Sequence, residues 1–285
     1  MILVRLIGGL GNQMFQYAAG RSIANRLGEQ LYLDVRKFKG YKPHQFVLDR
    51  FDIRAKIASD LELRNWPLIR GLLSKFLQKI GTKTRWYTER NFFYDPTSKL
   101  IQKNSLIDGY FQSRNYFEDI SDILKMEFKP KVRLSKINSN LLKQIHNSES
   151  VMVHIRRGDY VNNSRALNFH GVCSTDYYKN AISFVEKSRS NLHFYVFSND
   201  FDWAKQLFYT KKNVTFVDGN ENLPEVDLFL MSQCKHHIIA NSTFSWWGAW
   251  LGNTEMQIVV APSPWFKKSG LERDLIPSNW VLIKK

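Results

Sequence analysis

The chain has 285 residues, 44% hydrophobic and 24% charged, which is enough apolar side chain for one large or two modest cores and excludes a disordered chain. Its formal net charge of +15 favours polyanionic partners: nucleic acid, an anionic membrane face or a phosphorylated substrate. Two cysteines, Cys173 and Cys234, exclude a disulfide framework and suit a reducing compartment.

From the N-terminus, Ile2–Ile7 reads as a buried strand that stops at Gly8 and Gly9. The run is too short for a signal-peptide core or a membrane span, so a cytoplasmic protein is expected. A turn follows, Gly8-Gly9-Leu10-Gly11-Asn12, and then a helical pattern over Gln13–Leu27. Met14, Ala18, Ala19, Gly20 and Ile23 give that helix a face of mostly small residues for close packing on a sheet. With the next strand at Leu31–Leu33, this opening is an α/β unit with a parallel sheet. Leu68–Ile80 is amphipathic, with Arg70, Lys75 and Lys79 between its apolar positions; it fits a core-facing helix or a basic helix on an anionic membrane.

The polar stretch Ser135–Ser150 marks a domain boundary, giving halves 1–145 and 146–285. Strands are expected at Val151–Ile155, Asn191–Ser198, Val214–Val217, His237–Ala240 and Gln257–Ala261, with helices at Thr175–Lys187 and Asp200–Leu207. Two α/β halves imply a ligand cleft between them.

Four segments carry polar chemistry. The glycine turn at Gly8 lacks the third glycine of a dinucleotide fingerprint, which falls at Met14, and no Gly-Lys-Ser/Thr follows as in a P-loop. It reads equally as an anion site at a helix start or as a tight turn. The segment His154-Ile155-Arg156-Arg157-Gly158-Asp159-Tyr160 closes a strand; arginine suits bidentate phosphate contact, and alternation points His154 and Arg156 the same way. The rival reading is a solvated turn with an Arg157–Asp159 ion pair. Asn199-Asp200-Phe201-Asp202 has the spacing of a metal-binding Asp-x-Asp, but a helix cap or base contact at Asp200 is preferred, because the arginines already bring positive charge. Asn241-Ser242-Thr243-Phe244-Ser245 leads a strand into a tryptophan-rich helix, offering hydroxyls and N–H groups to an anion or simply a cap. A zinc site from His170, Cys173, Cys234 and His236 or His237 would have non-standard spacing. Lys and Arg are scattered without a helix-turn-helix, zinc-finger or RNA-recognition pattern, which weighs against nucleic acid.

Together Gly8–Ala19, Asp108–Phe117, Val153–Tyr160, Phe197–Trp203 and Ile238–Trp250 resemble the family-11 glycosyltransferases, the α-1,2-fucosyltransferases. The resemblance implies a GT-B-like α/β fold of two Rossmann-like halves facing across a cleft, and an inverting, metal-independent transfer from GDP-fucose to a galactose-containing glycan. It implies that Arg156 binds the β-phosphate, that His154 and Asp200 seat guanine and ribose, and that Ser242, Thr243 and Phe244 close around the diphosphate. Gly11 and Asn12 reach in from the first half. Gly9, Arg157, Asn199 and Ser245 complete the expected donor-binding set, and Arg156, His154 and Asp159 the catalytic one. Asp159 is a candidate base, or it orients Arg156 or binds ribose. Animal members carry an N-terminal membrane anchor; this chain resembles a bacterial, cytoplasmic form, with peripheral contact to an anionic membrane. The acceptor is expected to meet the first half, around Tyr110–Tyr116. The alternatives are a transferase for another GDP-sugar or linkage and a basic nucleic-acid-binding protein.

Overall fold

In a computed structural model, the described residues are 1–40, 44–64, 86–158, 164–252, 254–267, 270–271 and 274–285. Asp159, Tyr160 and the amphipathic segment Leu68–Ile80 lie outside them. The chain divides into two compact units, Met1–Lys129 and Pro130–Lys285.

The first unit holds strands β1 (Ile2–Arg5), β2 (Leu31–Asp34), β3 (Lys56–Ile57), β4 (Trp86–Thr88) and β5 (Ser105–Asp108), with helices α1 (Leu10–Leu27), α2 (Asp60–Arg64) and α3 (Ser121–Glu127). The sheet order is β3-β2-β1-β5-β4, and every pairing is parallel. Such a sheet must be covered, and its strands are accordingly apolar: Ile2, Leu3, Val4, Leu31, Leu33, Leu106 and Ile107 are all at most 2% exposed. The small-residue face of α1 packs as its composition requires. Met14, Ala18 and Ala19 are fully buried, and a Cβ added at Gly20 would stand 2.1 Å from Val4 Cγ2. The helix ends at Gly28, whose left-handed φ of 63° lets its N–H turn back to the last carbonyls.

The second unit runs α4 (Lys136–His146), β6 (Glu149–Ile155), α5 (Ser164–His170), α6 (Thr175–Ser188), β7 (Leu192–Ser198), α7 (Phe201–Leu207), β8 (Val214–Val217), α8 (Pro224–Ser232), β9 (His236–Ile238), α9 (Thr243–Gly252), β10 (Val259–Ser263) and β11 (Val281–Lys284). Its order is β11-β10-β9-β6-β7-β8, again wholly parallel. Val151, Val153 and Ile155 on β6 pack with Tyr177, Tyr178, Ala181 and Val185 on α6 and with Phe194 and Val196 on β7.

The division falls earlier than the boundary at 145/146 read from the polar stretch. That stretch is α4, capped by Ser135, whose hydroxyl accepts from Asn138 N–H at 3.1 Å. The helix belongs to the second unit, because the buried Asn138 side chain donates to Asn220 at 2.9 Å and Ile145 is fully buried.

In both sheets the strand order reverses at one strand. At β1 the chain has β2 on one side and β5 on the other; at β6 it has β7 on one side and β9 on the other. The space beyond the carboxyl ends of such strands is where open α/β sheets take ligands. The glycine turn follows β1 and the paired arginines follow β6.

Candidate functional site

In the second unit, His154 is the penultimate residue of β6 and is only 5% exposed. Its ring lies 5.8 Å from that of Phe244, tilted by 56°. The Nδ1 atom is buried without a hydrogen-bonding partner, which an ordinary core histidine would not tolerate and a ligand group would resolve. Burial, and then the nearby Arg156 charge, depress its pKa to about 3, so the imidazole is neutral at physiological pH. A ring with so little proton affinity is a weak base; its use is to shape and hydrogen-bond. The carbonyl of His154 accepts the Tyr178 hydroxyl at 3.0 Å, fixing the strand end to α6.

Arg157 is held differently. Its guanidinium lies 4.4 Å from the Trp203 ring centroid, and its Nε is 3.5 Å from Asp200 Oδ2. The expected partner, Asp159, is outside the described residues, and Asp200 supplies the ion pair seen here. The N–H groups of Arg157 and Gly158 both donate to Asn199 Oδ1, at 2.9 and 3.2 Å. Gly158 is required by that approach, since a Cβ there would lie 3.1 Å from Asn199 O and 3.2 Å from its Nδ2. Asn199 therefore ties the tip of β7 to the tip of β6.

Asp200 caps α7: its Oδ1 accepts from Trp203 N–H at 3.2 Å, and its own N–H donates to Ser198 Oγ at 2.9 Å. Asp202 is exposed in the first turn of α7. Among the described residues no group of three or more His, Cys, Asp or Glu is arranged to hold a metal ion. The zinc candidates have other partners: His237 faces Met231 O and Gln257, His236 faces Glu149, Cys234 donates to Leu230 O and Cys173 to Asn241.

At the start of α9 the chain turns sharply, with Ser242 N–H donating to Ala240 O at 2.8 Å. Asn241 holds the turn by donating to three carbonyls, those of His170, Gly171 and Trp265. The first intrahelical bond is Trp246 N–H to Ser242 O, at 3.0 Å. A helix start concentrates partial positive charge, and Thr243 and Phe244 are half-buried there. Ser245 is fully buried and its hydroxyl lies 3.3 Å from Ala240 O and 3.2 Å from Ser242 O. That hydroxyl hydrogen-bonds within the turn. Trp246 and Trp247 are buried, and the Trp246 indole donates to Leu275 O at 2.8 Å.

In the first unit, Gly8 takes a φ of 82°, open to glycine at no steric cost, and Gly9 precedes α1. Asn12 N–H donates to Gly9 O at 2.9 Å, and its side-chain oxygen accepts from Gln112 at 3.0 Å. Gly11 is buried within the first turn of α1. The carboxyl ends of these strands also carry charges that spacing did not single out. Arg5, ending β1, donates to Asp108 at 2.6 Å and lies 3.6 Å from Asp34, which Arg36 contacts at 2.8 Å. Beside them Glu89 accepts from the N–H groups of Tyr110 and Phe111, at 2.7 and 3.0 Å. Its only signal in the sequence is a position just after a strand too short to recognise.

Comparison with known proteins gives a consistent result. The model described as "Glycosyl transferase family 11" matches residues 1–284. The chain is 39% identical to the alpha-1,2-colitosyltransferase of Escherichia coli, over 100% of this chain and 99% of that protein. It is 33% identical to the O-antigen biosynthesis glycosyltransferase WbnK of Escherichia coli, over 97% and 98% of the two chains. Among solved structures, NodZ alpha-1,6-fucosyltransferase soaked with GDP-fucose is similar, with a TM-score of 0.50 and 15% identity over 88% of this chain and 91% of that one. That last likeness speaks to the fold, which is GT-B-like with two Rossmann-like units.

Proposed function

Since the chain belongs to glycosyl transferase family 11, we propose that it transfers L-fucose from GDP-fucose to the 2-hydroxyl of a galactose-containing glycan, with inversion and without a metal ion. The observation that carries this reading is the strand end at the reversal point of the second sheet. There an arginine pair follows a buried neutral histidine whose Nδ1 has no partner in the protein. A neutral ring suits the edge of a base or a ribose hydroxyl, and arginine suits a diphosphate.

The chemistry is a single displacement. The acceptor oxygen attacks the anomeric carbon as the bond to the β-phosphate breaks, and negative charge grows on that phosphate. A donor aimed at it then binds the transition state better than the ground state. Arg156 fills that role, with the N-terminus of α9 as the second positive element. Arg157, braced on Trp203 and Asp200, orients the tip of β7 and supplies field. On this reading Asp200 acts as a cap and Arg156 does the work of a cation, so Asp200 and Asp202 need not hold one.

The 39% identity to an alpha-1,2-colitosyltransferase makes a second donor sugar a specific alternative: colitose, which is fucose lacking its 3-hydroxyl. The likeness to a protein of O-antigen biosynthesis supports a surface-polysaccharide acceptor, and the +15 charge suits work beside anionic lipid. No helix among the described residues is long and apolar enough to cross a membrane, and we place the protein in the cytoplasm with peripheral membrane contact.

The test incubates the protein with GDP-fucose, GDP-colitose and GDP-mannose against a panel of galactosides and reads the product linkage. Fucosyl transfer to the 2-hydroxyl is expected. Colitosyl transfer in its place selects the second donor, and a product of another linkage or no GDP-sugar turnover overturns the proposal.

A further inference from the structure

Residues 130–148 carry four basic side chains, Lys131, Arg133, Lys136 and Lys143, and no Asp or Glu. All four are exposed. Elsewhere in this unit amines are spent on carboxylates: Lys211 on Glu186 at 2.5 Å and Lys235 on Glu149 at 2.8 Å. Two aliphatic side chains stand out among the basic ones, Val132 at 41% exposed and Ile137 at 77%. A single exposed aliphatic means little on a protein surface, but these two flank Arg133 and Lys136 in one short run.

The run sits on a rigid mount. Ser135 caps α4, and the inner face of that helix is fixed by the fully buried Ile145 and by Asn138. The Asn138 side chain donates to Asn220 at 2.9 Å, and Asn220 donates in turn to Asp227 at 2.8 Å. The outer face then follows from helical spacing. Ile137, Leu141 and Gln144 lie on one line, at i, i+4 and i+7, with Leu141 half-buried. Lys136, Asn140 and Lys143 lie on the line beside it, all exposed. Asn220 follows β8, beyond the carboxyl end of the second sheet, so its bond to Asn138 sets the start of α4 at that end. The basic run thus lies toward the end of the unit at which β6 presents His154 and the arginines.

We infer that this face, residues 131–137 with the outer side of α4, docks the protein on an anionic lipid bilayer; the inference rests on the peripheral membrane contact proposed above. A layer of anionic headgroups attracts each nearby Lys or Arg, and the acyl boundary beneath it takes up Val132 and Ile137. Lys and Arg stems lie along aliphatic side chains while their charged ends reach phosphate. Nucleic acid offers the same charge, but it is gripped by stacking on aromatic rings and gives aliphatic side chains nothing to enter. Residues 130–148 contain no Phe, Tyr or Trp. Docking here brings the carboxyl end of the second sheet toward the headgroups, which suits an acceptor held at a membrane.

The experiment is co-sedimentation of wild type and variants with vesicles of phosphatidylcholine, with and without phosphatidylglycerol, at low and high salt. Wild type should bind only the anionic vesicles, and more weakly at high salt. The triple variant Arg133→Gln, Lys136→Gln, Lys143→Gln should lose about fivefold in partitioning for each charge, about 10²-fold in all. Ile137→Ser should lose about tenfold. A control that removes the same charge elsewhere in the unit, Lys187→Gln, Lys205→Gln, Lys212→Gln, should lose far less. All of these side chains are exposed, so circular dichroism should not change. Wild type without preference for anionic vesicles overturns the membrane contact and this surface together. Wild type that binds, with the Arg133 triple variant losing no more than the control, leaves the contact standing and overturns the surface. Tighter binding to a single-stranded oligonucleotide than to anionic vesicles at equal salt overturns lipid as the occupant.

Discussion

Gly20 sits at the tightest contact between α1 and its sheet, and Gly20→Ala sets two known effects against each other. In a helix interior, alanine is favoured over glycine by about 0.8–1.0 kcal/mol. Against this, the new methyl would stand 2.1 Å from Val4 Cγ2 and 3.1 Å from Leu31 Cδ1. Carbon atoms normally pack about 3.5–4.0 Å apart. Val4 is fully buried on the central strand and branched at Cβ, so it has little rotamer freedom with which to withdraw. Overpacking of this kind costs about 1–3 kcal/mol, and so severe an overlap belongs at the upper end. The net expectation is a loss of about 1–2 kcal/mol, from the difference of those two figures. Equilibrium urea denaturation of wild type, Gly20→Ala, Val4→Ala and the double variant measures it. In the double variant the methyl gains room, and a coupling of at least about 1 kcal/mol should appear. A Gly20→Ala protein as stable as wild type, or additive behaviour in the cycle, would refute the packing argument.

Other residues give sharper tests of the chemistry. Arg156→Ala should cut turnover by about 10²–10³-fold with unchanged circular dichroism, and Arg156→Lys should not restore it; a near-normal rate would remove Arg156 from its proposed place. Asp200→Ala should cost about 0.5–2 kcal/mol through loss of the α7 cap, whereas Asp200→Asn should cost less, and turnover should persist in excess EDTA. Its loss there would return Asp200 and Asp202 to a metal-binding role. His154 stays neutral when folded, with a pKa near 3 against 6.5 for the free side chain. The unfolded chain alone therefore takes up this proton as pH falls below 6.5, and stability drops. From pH 6.5 to 5 this amounts to about 1.6 kcal/mol. Glu89 and Asp227, whose values are raised, act in the opposite sense, so the quantity to measure is the stability difference between wild type and His154→Gln. A difference that does not change with pH would contradict a neutral ring.

Much of the framework could be read from the residues because parallel strands are continuous apolar runs with plain endings. Val151–Ile155 lies within β6, Val214–Val217 coincides with β8, and Thr175–Lys187 matches α6 to within a residue. Strands β3 and β4 went unseen: they have two and three residues, too few for any period to register. The stretch around Ser135 reads as a linker because its buried polar residue Asn138 is satisfied by Asn220, far along the chain. The same reason hid Glu89. Its partners are backbone amides of residues 21 and 22 positions away, and backbone groups leave no mark in a sequence. Conversely, the strand-end arginines and the glycine turn were visible because their side chains, or lack of them, are themselves the signal.

The double acceptance by Asn199 has a consequence for how charge is handled. In phosphate loops, successive main-chain amides form a rigid cup of fixed size around an anion. Here the two amides after the central strand point instead at a neighbouring amide oxygen. Positive potential at that tip therefore resides on jointed guanidinium arms and not on the peptide skeleton. A hinged arm can follow a retreating oxyanion over the course of a reaction, at the cost of ordering its own torsions each cycle.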